Sequence, residues 1–224
     1  TARSKERTGP MQPVEQNAPA APMKIHTVQA IRKIVLYVAV AVGIFVVAVT
    51  SSIAPSGSTT HELVEWIGIV MIVFCIMGRT WSSLYIGGRK IEEFVQTGPY
   101  SVMRNPLYFF SCVGAVGVGM QVGSALLGLF TGLLAYAVFY VVTLREEQLL
   151  GGRYGAAYAA YMARVPRFFP KPSLWHDEET LTIRPPRVLM TFADALVFLL
   201  AVPAAEFFEQ LQEAGIVPVL LKLP

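Results

Sequence analysis

The fold is decided by residues 106–144, PLYFFSCVGAVGVGMQVGSALLGLFTGLLAYAVFYVVTL, a stretch without a single charged side chain. A helix needs about 20 mostly apolar residues to cross a membrane, so this stretch has room for two helices. The pair Gly123-Ser124 near its middle is typical of a turn. We therefore predict a tight helical hairpin, with one helix over residues 106–122 and the next over residues 125–144.

Three more apolar runs lie outside the hairpin, at residues 34–54, 63–85 and 188–208. The last run is the weakest because it contains Asp194 and Pro203, and a short apolar tail follows it. Of the 224 residues, 54% are hydrophobic and only 15% are charged, which leaves too few polar side chains to cover a soluble domain. These features predict an all-α fold, an integral membrane helical bundle with about five transmembrane helices.

The basic residues indicate the orientation in the membrane. If the N-terminus lies inside, all of the 18 lysines and arginines except Lys222 fall on that same side. The positive-inside rule then predicts a multi-pass membrane protein whose N-terminus and active site are cytoplasmic. The membrane would be the bacterial inner membrane or, in a eukaryote, the endoplasmic reticulum. A net charge of +3 is too small to indicate nucleic-acid binding.

Composition divides the chain into three parts. Residues 1–31 are rich in proline and in small and polar residues, and we predict a disordered basic tail there. Residues 32–172 are the predicted membrane core with the motifs described below, and residues 173–224 are a linker followed by a further membrane or interfacial helix. The cysteines and histidines show no ligand spacing, so we expect no metal site and expect His61 at the surface.

The first motif is TGPYSVMRNPLY at residues 97–108, just where the hairpin begins. Gly98-Pro99 predicts a turn, and Pro106 suits the first turn of the following helix, for which Asn105 is the predicted N-cap. A helix N-terminus attracts anions, so this cluster is suited to hold a carboxylate. Tyrosine and arginine also anchor helices at the membrane interface, and the residues alone leave both interpretations open.

The second motif begins with REEQLL at residues 145–150 and continues to VPRF at residues 165–168. The carboxylates of Glu146 and Glu147 are costly at the end of a membrane helix unless they are paired or bind something positive. Adjacent side chains on a helix diverge by about 100°, so we expect only one to face a given pocket while the other pairs elsewhere. An ordinary solvated helix end with Arg145 as the partner is the alternative.

Taken in order, GPYxxxRNPxY, the apolar hairpin and REExxLxxxYGxxYxxYxxxVPRFxP resemble the isoprenylcysteine carboxyl methyltransferase family. That family belongs to a wider group with the integral membrane phospholipid methyltransferases. The resemblance covers residues 63–170 and implies a helical membrane fold with S-adenosylmethionine as the cofactor. The glycine-rich G-x-G-x-x-G signature of soluble nucleotide-binding folds is absent from the sequence.

The resemblance also implies site residues. The cofactor-binding residues carried over by motif position are Phe94, Val95, Tyr100, Asn105, Pro106, Leu107, Tyr108 and Glu146. The candidate catalytic residues are Arg104 and Glu147. Two positions depart from the family pattern: Asn105 stands where the prenylcysteine enzymes usually have histidine, and Val142 stands where they carry an arginine that resembles a ligand of the substrate carboxylate. The second departure weakens a prenylcysteine carboxylate as the substrate.

The expected acceptor is hydrophobic and enters from the lipid bilayer, as a phospholipid amine or an isoprenoid or other lipid carboxylate would. An amine must lose a proton, for which Glu147 is the candidate base, whereas a carboxylate needs no base. Two alternatives stay open: an NADPH-dependent membrane reductase of the sterol-reductase type, and a catalytically inactive methyltransferase-like subunit of a membrane complex. The motifs leave the oligomeric state open.

Overall fold

The computed structural model describes residues 42–86 and 94–224. After a helical stretch at residues 42–49, the helices are α1 (Thr59–Ile86), α2 (Pro99–Val102), α3 (Pro106–Met120), α4 (Ala125–Arg164), α5 (Pro185–Leu196) and α6 (Ala201–Glu213). The remaining elements in these ranges are two 3₁₀ turns, Pro172–Leu174 and Val197–Leu200, and two short strands, β1 (Thr50–Ser52) and β2 (Leu221–Leu223).

Within the described ranges, three helical segments are long and apolar enough to cross a membrane. They are α1, α4 and the stretch Pro185–Glu213, which contains α5, a 3₁₀ turn and α6. Their outer surfaces carry large apolar side chains, and Trp66, Met77 and Leu133 are each more than half exposed, as suits contact with lipid. The predicted all-α membrane bundle is confirmed.

The predicted hairpin is formed by α3 and α4, which meet at a turn where Gly123 has a φ of 69°. A Cβ at Gly119 would collide with Thr131, so glycine allows the two helices to approach closely. The Thr131 hydroxyl donates a hydrogen bond of 2.8 Å to the carbonyl of Ala115 across this contact. Helix α3 has 15 residues and is shorter than the span predicted for residues 106–122, and it also packs on α1.

The first apolar run departs from its prediction. Residues 34–41 lie outside the described residues, and helical structure ends at residue 49 rather than at residue 54. Thr50–Ser52 instead pairs in parallel with Leu221–Leu223, with Thr50 opposite Leu221. A pairing between segments so distant in sequence leaves no trace in local hydropathy, which is why the run resembles an uninterrupted helix.

Two other helical regions differ from the predicted ones. Helix α4 continues far beyond residue 144, because the polar residues that follow the apolar run are also helical, and it is broken at Gly155, where φ is 52°. The fifth apolar run is two helices joined by a 3₁₀ turn. Pro203 lies in the first turn of α6, where its missing N–H costs little.

Candidate functional site

The first motif forms a turn beside the end of α1. Gly98 has a positive φ of 58° and lies against the ring of Tyr85, so no side chain fits there. Helix α3 then begins at Pro106, as predicted. The end of the second motif runs alongside, because the backbone N–H of Arg104 donates to the carbonyl of Pro166 at 2.8 Å. The two motifs are therefore in direct contact, although the hairpin separates them in sequence.

Asn105 occupies the N-cap position of α3, but its side chain makes no capping hydrogen bond. Its backbone carbonyl accepts hydrogen bonds from the N–H groups of Tyr108 and Phe109. Its side-chain amide donates to the carbonyl of Arg167 at 3.3 Å. Asn105 is therefore the N-cap residue as predicted, while its side-chain amide holds the second motif against the first.

A pocket lies where the two motifs meet, and its empty volume of about 430 Å³ is partly open to solvent. Seven of the ten predicted site residues line it: Phe94, Val95, Tyr100, Arg104, Asn105, Glu146 and Glu147. The other three lie close by. Tyr108 contacts Glu146, Leu107 packs against the cluster that contains Tyr100, and Pro106 is buried in the first turn of α3.

Glu146 is the predicted carboxylate of the cofactor site. It accepts a hydrogen bond of 2.8 Å from the hydroxyl of Tyr108. The Tyr108 ring in turn stacks on Phe139, with 4.8 Å between the ring centroids. Side chains from α3 and α4 therefore fix this carboxylate at the wall of the pocket, next to an aromatic ring.

Glu147 is buried, with 7% of its surface exposed, and also lines the pocket. Its two oxygens accept hydrogen bonds from Nε and Nη2 of Arg167 at 3.1 and 2.8 Å, and Nε of Arg104 lies 3.4 Å from Oε1. The hydrogen bonds to Glu147 raise the pKa of Arg167 above its ordinary value. Arg145, the partner considered from sequence, is exposed. The buried charge is thus neutralised by one arginine from each motif.

The expectation that only one of the two carboxylates would face a given pocket is wrong. Both line it, because the pocket lies against the edge of α4 between the two side-chain directions, which differ by about 100°. Glu146 accepts a hydrogen bond from a tyrosine hydroxyl, and Glu147 contacts two guanidinium groups.

Tyr100 is 4% exposed, and its hydroxyl has no hydrogen-bond partner among the described residues. Burial raises the pKa of Tyr100 well above its ordinary value, so the hydroxyl stays protonated and keeps a proton to donate. Sequence reasoning missed Ile86, Leu150, Tyr158 and Tyr161, which also line the pocket. The three-residue spacing of the two tyrosines is the signal in the sequence, because it places both side chains on one face of a helix.

Comparison with known proteins adds a family to this geometry. The family model described as phospholipid methyltransferase matches residues 63–157. The chain is 35% identical over 158 residues to the nickel-cobalt-cadmium resistance protein NccN of Alcaligenes xylosoxydans xylosoxydans, covering 70% of this chain and 74% of that protein. It is 31% identical over 167 residues to the cobalt-zinc-cadmium resistance protein CzcN of Cupriavidus metallidurans, covering 75% and 77%. No solved structure matches significantly.

Proposed function

The chain belongs to the phospholipid methyltransferase family, and from this premise we propose that it is a membrane enzyme that transfers a methyl group from S-adenosylmethionine to a lipidic acceptor. One observation carries the proposal. Residues that the motifs single out as cofactor-binding and catalytic come from distant segments of the sequence and converge on the walls of one pocket. The pocket lies at the end of long apolar helices, where a water-soluble cofactor and a lipid can meet.

The pocket residues fit a cofactor that carries positive charge and polar groups. Glu146 is a carboxylate next to the Tyr108 ring, and both a carboxylate and an aromatic face attract a sulfonium or an ammonium. The buried hydroxyl of Tyr100 has no hydrogen-bond partner in the described ranges, and an unsatisfied buried hydroxyl is costly unless a ligand completes it. We therefore assign binding of the cofactor to Glu146 and Tyr100, with Tyr108 orienting Glu146.

When bound, S-adenosylmethionine supplies a methyl group that is already activated as an electrophile. The work left to the chain is therefore to position the reactants and to manage charge. Glu147 is held by the guanidinium groups of Arg104 and Arg167, so both of its oxygens are already engaged by arginines of the chain. This arrangement favours a positioning role for Glu147, which keeps both arginines at the pocket, over the predicted role of a general base.

The acceptor is proposed to enter from the bilayer between α3 and α4. Two groups of aromatic rings lie on this side of the hairpin: Tyr108 stacks on Phe139, and Tyr136 and Tyr140 pack on Phe168. The guanidinium of Arg167 lies over the ring of Tyr140, 5.1 Å from its centroid, and Tyr140 is 37% exposed. Aromatic rings and an arginine at a membrane boundary suit the headgroup of a lipid whose tails remain in the bilayer.

The relatives suggest a biological setting, because both bear names of resistance proteins for divalent metals. We propose that methylation by this chain contributes to metal resistance in the cell. A strain that carries Glu146→Gln in place of the wild-type chain should then grow less well in cobalt, nickel or cadmium. Equal growth of the two strains, with equal amounts of protein in the membrane, would contradict this setting.

The enzyme proposal is tested on the purified full-length chain in lipid nanodiscs. S-adenosylhomocysteine should raise the thermal unfolding temperature, whereas NADPH should not. Wild-type membranes incubated with methyl-labelled S-adenosylmethionine should then accumulate label in the lipid fraction. Membranes with Glu146→Gln should not. Stabilisation by NADPH alone would favour the reductase alternative, and no response to either cofactor would favour the inactive subunit.

A further inference from the structure

A second cluster of polar side chains lies at the opposite end of α1. His61, expected at the surface, is buried with 4% of its surface exposed. Its imidazole packs on Gly123, where a Cβ would collide with the ring. Nε2 lies 3.1 Å from Oε1 of Glu65 and 3.8 Å from Oε1 of Glu209. The fold thus directs one nitrogen of a buried imidazole toward two carboxylates that come from different helices, α1 and α6.

The spacing of these three groups is close to that of a metal site. Two ligand atoms on a tetrahedral Zn²⁺ or Co²⁺ are about 3.3 Å apart, given metal–ligand bonds of about 2.0–2.1 Å. In the cluster, one nitrogen and two carboxylate oxygens lie within 4.8 Å of one another. Rotation of two partly exposed carboxylates is enough to bring all three around one ion, and this set of N and O ligands suits first-row divalent metals.

The charges at the cluster point to a cation as well. The carboxylates of Glu65 and Glu209 both lie within 4 Å of the imidazole Nε2 of His61. Glu206 adds further negative potential at Glu65. In the described part of the chain, no lysine or arginine is in salt-bridge contact with Glu65 or Glu209. Like charges held this close repel each other, and a divalent cation between them removes the repulsion.

Two details show how the side chains of the cluster are held. The other imidazole nitrogen, Nδ1, is buried against Gly123, so Nε2 is the nitrogen that faces the carboxylates. The Ser56 hydroxyl donates a 2.5 Å hydrogen bond to Oε1 of Glu209, which orients that carboxylate in the way outer groups orient metal ligands.

We propose that His61, Glu65 and Glu209 bind a divalent first-row transition-metal ion such as Co²⁺ or Zn²⁺, with water completing the coordination. The site is distinct from the methyltransferase pocket, because His61 and Ile86 are separated by roughly 38 Å along α1 at about 1.5 Å per residue. Since its ligands come from α1 and α6, the bound ion also links the C-terminal helices to the core.

The test is titration of the purified full chain, free of any affinity tag, with Co²⁺, because ligand-field absorption reports its coordination by nitrogen and oxygen. The wild type should bind one ion with a tetrahedral or five-coordinate spectrum. Glu209→Gln, a change of nearly equal size at a partly exposed side chain, should weaken binding at least tenfold. The matched controls Glu62→Gln and Glu213→Gln, exposed carboxylates on the same two helices, should bind as the wild type does.

Equal Co²⁺ affinity in wild type and Glu209→Gln would overturn the proposal, as would a wild-type chain that binds no ion. His61→Gln provides a second variant with the same expected loss and, in addition, loss of the nitrogen signature in the spectrum. The response to S-adenosylhomocysteine is measured on the same wild-type preparation. Co²⁺ binding without that response would contradict the proposed enzyme function only, and the reverse result would contradict the metal site only.

Discussion

At the pocket end of α1, a buried carboxylate is paired with arginines of the same chain, whereas at the His61 end no lysine or arginine of residues 42–86 and 94–224 pairs with the carboxylates. Glu147 is held by Arg104 and Arg167, whereas Glu65 and Glu209 share one imidazole. Both ends contain acidic side chains on membrane helices, where an uncompensated charge is expensive. The comparison teaches that the first end is compensated by arginines within the described residues, whereas the second end offers its carboxylates to a cation.

The largest expected effect concerns whether the two ends lie on opposite sides of the membrane at all. The distribution of basic residues predicts that they do. A cysteine-reactive or enzymatic reporter placed near Ser56 should be accessible only from one side, and a reporter near Lys171 only from the other. Labelling of both positions from the same side would contradict the predicted topology. The comparison between two opposite ends of α1 would then no longer hold.

Removal of one internal partner should strongly destabilise the pocket end. Arg167→Met leaves the buried Glu147 carboxylate with Arg104 alone, and breaking a buried ion pair typically costs about 3–5 kcal/mol. The free energy of unfolding, measured in detergent with a chemical denaturant, should fall by an amount near the lower end of that range because Arg167 is partly exposed. Arg145→Met is the control, since that arginine is exposed and next to the same carboxylates. A similar loss in both variants would show that the ion pair is not the cause.

A smaller effect is expected for Glu146→Gln, which removes a charge from the pocket and leaves a side chain of nearly the same size. Binding of S-adenosylmethionine should weaken by about 1–2 kcal/mol, the scale of a hydrogen bond to a charged group. Calorimetry on the folded variant measures this change. Tyr108→Phe, which leaves the charge and removes only the hydroxyl that orients it, should cost less. Unchanged affinity for Glu146→Gln would remove Glu146 from the cofactor site.

The smallest expected effect concerns Glu147→Gln, whose loss of initial rate relative to the wild type should not change with pH. The pKa of Arg167 is raised in the folded chain. The stability that its pair with Glu147 contributes is therefore complete at any pH below the pKa that Arg167 has in the unfolded chain. It is lost only when the pH rises through the higher pKa that Arg167 has in the folded chain. Between about pH 6 and pH 9, the Arg167 guanidinium therefore stays charged. The ratio of initial rates for wild type and Glu147→Gln, at saturating cofactor, should be constant over this range. A defect that shrinks as the pH rises would assign Glu147 as the base for an amine acceptor.

Local patterns were sufficient to predict much of the fold and the position of the pocket. Uncharged residues 106–144 predict the hairpin because hydropathy is a property of neighbouring residues, and the motifs at its two ends bring most of the lining residues with them. The pair between Glu147 and Arg167 could not be predicted from the local sequence, because it depends on the path that the chain takes after the end of α4. The burial of His61 could not be predicted, since it results from packing against Gly123 and from the approach of α6.

The pairing of β1 with β2 has a consequence for the order in which the chain is assembled during synthesis. Leu221–Leu223 leaves the ribosome after every helix described here, and it pairs with Thr50–Ser52, which was made before α1. The Ser124 hydroxyl at the turn of the hairpin also donates to the carbonyl of Pro224 at 2.6 Å. Such a long-range closure forms after the local helices. Residues 221–224 therefore fasten β1 to the hairpin only after all of these helices have been made, and the helix that carries Glu209 is held in place at that late stage.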